Sequence, residues 1–190
     1  AKIITRATRM PKTMTPTLRP VNPARDADAL AAIYAPFVLN TFISFEEVPP
    51  TPAEMQARAE AVLDKGLPYL VAEDAATGRI IGYAYASPYR PRTAYRFSVE
   101  SSIYVHPDSQ GLGLGRRLMD AVTDRCRELG MKTMLAVASL DPDIAIEDNP
   151  SVRFHRGYGF EQVGFLTDIG RKSGKWAPSG LYQLALHPLR

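Results

Sequence analysis

The chain has a single cysteine, Cys126, among its 190 residues. That excludes an intramolecular disulfide and makes the cytoplasm the expected compartment. Histidine is scarce as well, with three in all. Three scattered histidines and one cysteine do not supply a usual zinc centre, so no metal site is expected. No apolar run approaches the roughly 20 residues that span a bilayer, so no membrane segment is expected. Neither sign of charge dominates, since 23 Lys+Arg against 20 Asp+Glu leave a formal net charge of +3. A basic stripe with interleaved aromatics is missing, so nucleic acid is not an expected partner. Repeats, low-complexity segments and internal linkers are missing too.

Acid is absent from the first 19 residues, which carry Lys2, Arg6, Arg9, Lys12 and Arg19. This stretch lacks the apolar region of a secretory signal, although its composition is compatible with a transit peptide. Residues 1–16 are expected to be a disordered tail, or upstream sequence ahead of a start at Met10 or Met14. Residues 17–190 are expected to form a single domain. The hydrophobic share of 45% and charged share of 23% suit one globular core.

Order is expected to begin with a strand near Thr17–Val21. A helix follows, capped by Asp26 or Asp28, with Leu30, Ile33, Tyr34 and Phe37 on one apolar face. Pro36 should kink or end it. Thr51-Pro52-Ala53-Glu54 starts a second helix with a capping box, closed near Lys65-Gly66. Pro68–Glu73 and Ile80–Ser87 read as an antiparallel hairpin. Phe97–Val105 is a strand with Val99, Ser101, Ile103 and Val105 on one face and Ser98, Glu100, Ser102 and Tyr104 on the other. Leu114, Leu118, Val122, Cys126 and Leu129 then mark a helix, and Cys126 is read as a small core residue. A strand at Thr133–Ser139, a short helix at Ser151–Tyr158, and strands near Phe160–Thr167 and Leu181–Leu186 complete an α+β (mixed α/β) order.

Gln110-Gly111-Leu112-Gly113-Leu114-Gly115-Arg116 lies between a strand and a helix. Glycines let backbone N–H groups turn inward and let a ligand approach closely. The helix N-terminus adds unpaired N–H groups and the positive end of its dipole, so phosphate is the expected ligand. A P-loop is excluded because no Gly-Lys-Ser/Thr follows. The Gly111-x-Gly113-x-Gly115 spacing does not fit the dinucleotide fingerprint either.

Gln110-x-x-Gly113-x-Gly115 resembles the pyrophosphate motif of the GNAT acetyltransferases. Further segments resemble the phosphinothricin N-acetyltransferase-like branch. They are Ile43–Glu47 with Pro49–Thr51, Gly82–Ala86, Arg90, Tyr95-Arg96, Val99–Val105, Asn149–His155 and Gly159-Phe160. Together they cover about residues 17–187. Two departures stand out: the acidic arm Leu140–Asp148 is a few residues longer than the branch pattern, and Ser139-Leu140 replaces a frequent glycine.

The resemblance implies a central, mostly antiparallel twisted sheet of about six or seven strands, flanked by helices and splayed at the cofactor site. It implies acetyl-CoA as cofactor, held by Ile103, Tyr104, Val105, Gln110, Gly111, Leu112, Gly113, Leu114, Gly115, Arg116, Asn149 and Ser151. Asn149 also reads as a helix cap. Glu100 stands at the position of the proposed general base, and His155 where the leaving thiolate is proposed to be protonated. On the residues alone, Glu100 is equally an anchor for a substrate ammonium. Phe45, Glu47, Arg90, Arg92 and Tyr95 match acceptor-binding segments, and an arginine there suits a carboxylate. Trp176, with Lys172 and Lys175, is expected to line that pocket or a dimer contact, since chains of this branch often pair.

The function so implied is transfer of acetyl to the primary amine of a small amino-acid-like acceptor, such as phosphinothricin or methionine sulfoximine or sulfone. Direct attack needs no enzyme nucleophile. Another amine, a protein N-terminus, or a non-catalytic acetyl-CoA sensor are the alternatives.

Overall fold

Asn22, rather than Asp26 or Asp28, starts the first helix. Its side chain accepts from the Arg25 N–H at 3.0 Å, ahead of Pro23 in the first turn. Asp26 is taken up otherwise, by bonds from Arg19 at 2.8 and 2.9 Å and from Arg25 at 3.0 Å. The computed structural model describes residues 16–187, so the tail expected over 1–16 lies, apart from Pro16, outside the described residues.

The elements are β1 (Thr17–Pro20), α1 (Pro23–Asn40), α2 (Pro52–Leu63), β2 (Tyr69–Glu73), β3 (Ile80–Pro88), β4 (Ser98–Val105), α3 (Leu114–Glu128), β5 (Thr133–Ser139), α4 (Pro150–Tyr158), β6 (Glu161–Lys172) and β7 (Lys175–Ala185). α1 runs through Pro36 to Asn40. Burial of Phe37 and Val38 holds the last turn despite the lost N–H. The capping box at Thr51 and Glu54 forms as its sequence dictates, with bonds of 3.2 and 2.6 Å.

All strands join one sheet in the order β1-β2-β3-β4-β5-β7-β6. Every neighbouring pair is antiparallel except β4–β5. Tyr104 of β4 packs against Tyr34 and Phe37 of α1, whereas Ile103 lies beside Gly115 of α3. Successive strand residues face opposite sides, so α1 and α3 cover opposite faces of the sheet. The core on the α3 side includes Leu118, Val122, Cys126 and Met134, all fully buried; Cys126 is thus a core residue.

The last two strands extend well beyond the expected 160–167 and 181–186. They meet at a tight turn with Ser173 and Gly174 both at positive φ, paired across Lys172 and Lys175. A register shift between Leu166 and Gly170, with Asp168 at φ 50°, bends β6 and breaks its alternation. The strands consequently run up to Lys172 and down from Lys175, with only Ser173 and Gly174 left for the turn.

Candidate active site

The parallel pair β4–β5 is registered only over Ser98–Glu100 and Thr133–Leu135. Beyond it the strands separate, β4 running to Val105 and β5 to Ser139. Tyr89 N bonds to Ser98 O and His106 N to Ile81 O. With the register, this makes Ser98, Glu100, Ser102 and Tyr104 the residues whose backbone bonds run to β3. The backbone groups of Ile103 and Val105 therefore point into the split; Val105 O accepts from Gln110 Nε2 at 3.2 Å. A split strand pair with unused amides and carbonyls suits an extended ligand that carries amides of its own.

The Gly-rich turn closes one end of this split. Gly111 and Gly113 have φ of 75° and 74°, and Gly113 is the helix cap, without a side-chain bond. Among the described residues, no hydrogen bond is donated by any backbone N–H from Gly111 to Arg116. A Cβ on Gly111 or Gly113 would meet nothing within 4 Å, while one on Gly115 would meet the Phe154 ring at 3.2 Å. The first two glycines thus serve backbone conformation and the third lets α3 approach α4. Leu112 is exposed and Leu114 buried, so both present their amides rather than their side chains to the turn. Arg116 lies over the Tyr158 ring and donates to Gly157 O at 3.3 Å, which leaves its charge at the rim. This array of unpaired N–H groups on a helix N-terminus fits a pyrophosphate.

Two of the residues expected at the cofactor make extensive contacts within the chain. Tyr104 spends its backbone on β3 and packs its ring against Tyr34, Phe37 and Tyr83. Asn149 is buried, with Nδ2 donating to Ile144 O and Ala145 O and Oδ1 accepting from Asp141 N. Both of its amide hydrogens are used in stapling the 140–148 arm. It occupies the cap position of α4 without a side-chain cap bond.

His155 is 6% exposed, stacked on Tyr182 and edge-on to Phe154 and Phe160. Its Nδ1 lies 2.7 Å from Ser151 O. A carbonyl only accepts, so Nδ1 carries the proton and the neutral ring has a bare Nε2. Burial lowers the His155 pKa, partly offset by the Ser151 bond, so the neutral form prevails near pH 7. Ser151 Oγ is 3.3 Å from the same Nδ1.

Glu100 lies on the α1 face of β4, half-buried. Burial raises its carboxyl pKa and the charge of Arg90 draws it part of the way back. No hydrogen bond to its carboxylate is present among the described residues. Arg90 is exposed, with its guanidinium 5.1 Å from the Tyr89 ring centre. Arg92 and Tyr95 are exposed on the loop before β4, where Tyr95 packs edge-on against Tyr89. Phe45 and Glu47 sit on the loop between α1 and α2, with Phe45 against Gly170 of β6 and Glu47 exposed.

A polar network that the sequence does not advertise joins α1, α2 and the loop between them, on the same face of the sheet as Glu100. Tyr34 OH donates to Glu46 at 2.9 Å and lies 2.7 Å from Ser44 Oγ. Arg58 grips Glu46 bidentately at 2.7 and 3.0 Å. In the sequence Tyr34 reads as a member of the apolar stripe of α1, and its hydroxyl is the one signal of a polar role. Arg58 gave none, being an arginine on a polar helix face.

The acetyltransferase (GNAT) family model matches residues 35–160. A phosphinothricin N-acetyltransferase of Alcaligenes faecalis is 44% identical over 162 residues, 85% of this chain and 79% of the relative. An L-methionine sulfoximine/L-methionine sulfone acetyltransferase of Pseudomonas paraeruginosa is 38% identical over 167 residues, 87% of this chain and 92% of the relative. Among solved structures, a GNAT superfamily phosphinothricin acetyltransferase from Sinorhizobium meliloti, in complex with AcCoA, superposes with a TM-score of 0.81. It is 41% identical, and the match covers 90% of this chain and 89% of that one.

Proposed function

Because this chain belongs to the acetyltransferase (GNAT) family, we propose that it transfers acetyl from acetyl-CoA to the primary amine of a small amino-acid-like acceptor. Phosphinothricin and methionine sulfoximine or sulfone are the compounds to try first, since relatives are named for them. The observation that carries this reading is the run of unpaired N–H groups from Gly111 to Arg116 beside the β4–β5 split. It offers a pyrophosphate site next to a slot for an extended arm.

Acetyl-CoA, when bound, supplies acetyl as a thioester. The turn amides of Gly111, Leu112, Gly113, Leu114, Gly115 and Arg116 hold its pyrophosphate, with Gln110 bracing the turn on Val105 O. Ile103 and Val105 pair with the arm. Glu100, with no competing partner among the described residues and a raised pKa, takes a proton from the acceptor ammonium so that its nitrogen can attack. His155 starts neutral with Nε2 free; it would take there the second proton, shed by the nitrogen once it has attacked the thioester carbon, and pass it to the sulfur as the C–S bond breaks. Ser151 fixes the tautomer through its carbonyl. Arg90, with Arg92 and Tyr95 on the same loop, meets the acceptor carboxylate, while Phe45 and Glu47 close the pocket from the α1–α2 loop.

Two copies pair through the β6–β7 hairpin in this reading. β6 is an edge strand, and Val163, Ile169 and Trp176 of the hairpin are 54%, 55% and 58% exposed, a surface that a partner would cover. The described helices include none long and apolar enough to cross a membrane, and the cytoplasm is the compartment we propose. The test is thiol release from acetyl-CoA over a panel of amino acids, amines and N-terminal peptides. Release with amino-acid-like acceptors supports the reading, and binding of acetyl-CoA without release for any acceptor overturns it.

A further inference from the structure

The tip of the β6–β7 hairpin touches a distant part of the chain. β7 pairs with β5 only from Ser179 to Ala185, and Leu140 N caps that pairing by donating to Pro178 O. The hairpin continues past the end of β5 and meets the loop between α1 and α2. There Lys172 is only 5% exposed. Its Nζ donates to Thr41 O at 2.8 Å and to Ser44 O. No carboxylate forms an ion pair with it among the described residues. A buried ammonium bonded only to backbone carbonyls is an uncommon arrangement, and it ties the hairpin to those two peptide units.

A second contact lies two residues back along β6. A Cβ on Gly170 would fall 2.3 Å from Cε2 of Phe45. The ring therefore rests on bare backbone that any other residue would push it from. The loop so gripped is well ordered internally. Ile43 N bonds to Thr41 Oγ1 at 3.1 Å and Glu46 N to Ser44 Oγ at 3.1 Å. Ser44 Oγ and Glu46 in turn engage Tyr34, whose ring packs edge-on against Tyr104 of β4 at 4.8 Å. A continuous set of contacts thus runs from the hairpin tip, through the loop carrying Phe45 and Glu47, to the strand carrying Glu100.

We propose that Lys172 and Gly170 form a clasp that fixes the 41–47 loop and thereby sets the enzyme's affinity for its amino-acid acceptor. Lys172 acts as a positioning residue in this scheme; it bonds to the backbone of the loop, not to the reacting atoms. The proposal rests on the reading above that this loop belongs to the acceptor pocket. Because the clasp lies on the opposite side of the sheet from the Gly-rich turn, acetyl-CoA should not sense it.

Lys172→Met keeps the stem and removes the donor. Steady-state kinetics with acetyl-CoA and the best acceptor should show the acceptor KM raised roughly tenfold, the scale of a lost charged hydrogen bond, with the acetyl-CoA KM within about twofold of wild type. Hydrogen exchange at the Ile43 and Glu46 amides should quicken. Gly170→Ala, which displaces Phe45 without touching the charge, should give the same split, and it carries the test if Lys172→Met does not fold. A folded Lys172→Met enzyme with an unchanged acceptor KM overturns the proposal, as does an equal rise in both KM values. If wild type acetylates no amino-acid-like acceptor, the functional reading itself fails. The clasp is then judged on exchange alone, and unchanged rates at Ile43 and Glu46 overturn it.

Discussion

Glu100 and Ile103 stand three positions apart on β4 and face opposite sides of the sheet, Glu100 toward α1 and Ile103 toward Gly115 of α3. The strand therefore presents a carboxylate to the α1 face, while the backbone groups of Ile103 point in the plane of the sheet toward the split. The gap opened where β4 leaves β5 joins the two. In the proposed reaction the acceptor enters on the Glu100 side and the donor lies along Ile103 and Val105.

Burial raises the Glu100 pKa above its ordinary carboxylate value. A base must be ionised, so kcat/KM should fall as pH drops through this raised pKa, with the acid limb lying above that of an exposed glutamate. Glu100→Gln should lower kcat by about 100-fold or more and remove its part of the acid limb, leaving only the part set by His155. A pH–rate profile of both proteins checks this. An unchanged profile in the variant removes Glu100 from the chemistry.

The bare Nε2 of neutral His155 makes a separate prediction. A carrier that starts empty must be neutral in the free enzyme, and its pKa is held down by burial. Activity through His155 should then be lost as pH falls through that lowered pKa, and no basic limb should be traceable to it. His155→Phe should lower kcat more than either KM. A basic limb that disappears in this variant would mean that His155 begins as the acid.

Gly113 has φ of 74° with open space around its Cβ position. Valine fits the space but not the backbone, at a cost of about 1–2 kcal/mol or more. Gly113→Val should weaken acetyl-CoA binding roughly tenfold, since each 1.4 kcal/mol is tenfold. Titration calorimetry with acetyl-CoA reads this directly, and the acceptor KM should stay near wild type.

Much of this architecture can be read from the chain alone. The Thr51 capping box, the hairpin at 68–87 and the β5 strand follow from local chemistry. The Gly-rich turn advertises an anion site because its glycines and the helix after it are contiguous. Features assembled from distant segments are hidden. Asp26 looks like a helix cap until Arg19 of β1 claims it. Asn149 reads as a helix cap, and nothing local shows that both of its donors staple the 140–148 arm. Tyr34, Glu46, Arg58 and Lys172 come from four separate parts of the chain, and nothing in their spacing brings them together.

Asp26 also makes a stability prediction. Burial pushes its carboxyl up, but the bonds from Arg19, Asn22 N and Arg25 outweigh that and hold it at about 2. A depressed folded pKa contributes stability that is present above the unfolded value near 4 and lost as pH falls toward about 2. Asp26→Asn should cost about 1–3 kcal/mol at neutral pH and flatten the acid limb of the denaturation curve. Urea unfolding at pH 7 and pH 3 measures both.

Hairpin pairing is checked by mass in solution. Wild type should be a dimer by light scattering, and Ile169→Glu with Trp176→Glu should yield a folded monomer. A monomeric wild type contradicts the pairing.

Transfer of acetyl from acetyl-CoA to the amine of an amino-acid-like acceptor is read by mass analysis of the acceptor after incubation with acetyl-CoA and the protein. A single acetyl group is expected on the α-nitrogen of phosphinothricin, methionine sulfoximine or methionine sulfone, with little product from the Glu100→Gln variant. Acetyl-CoA bound tightly while no amino-acid-like acceptor gains an acetyl group would contradict it.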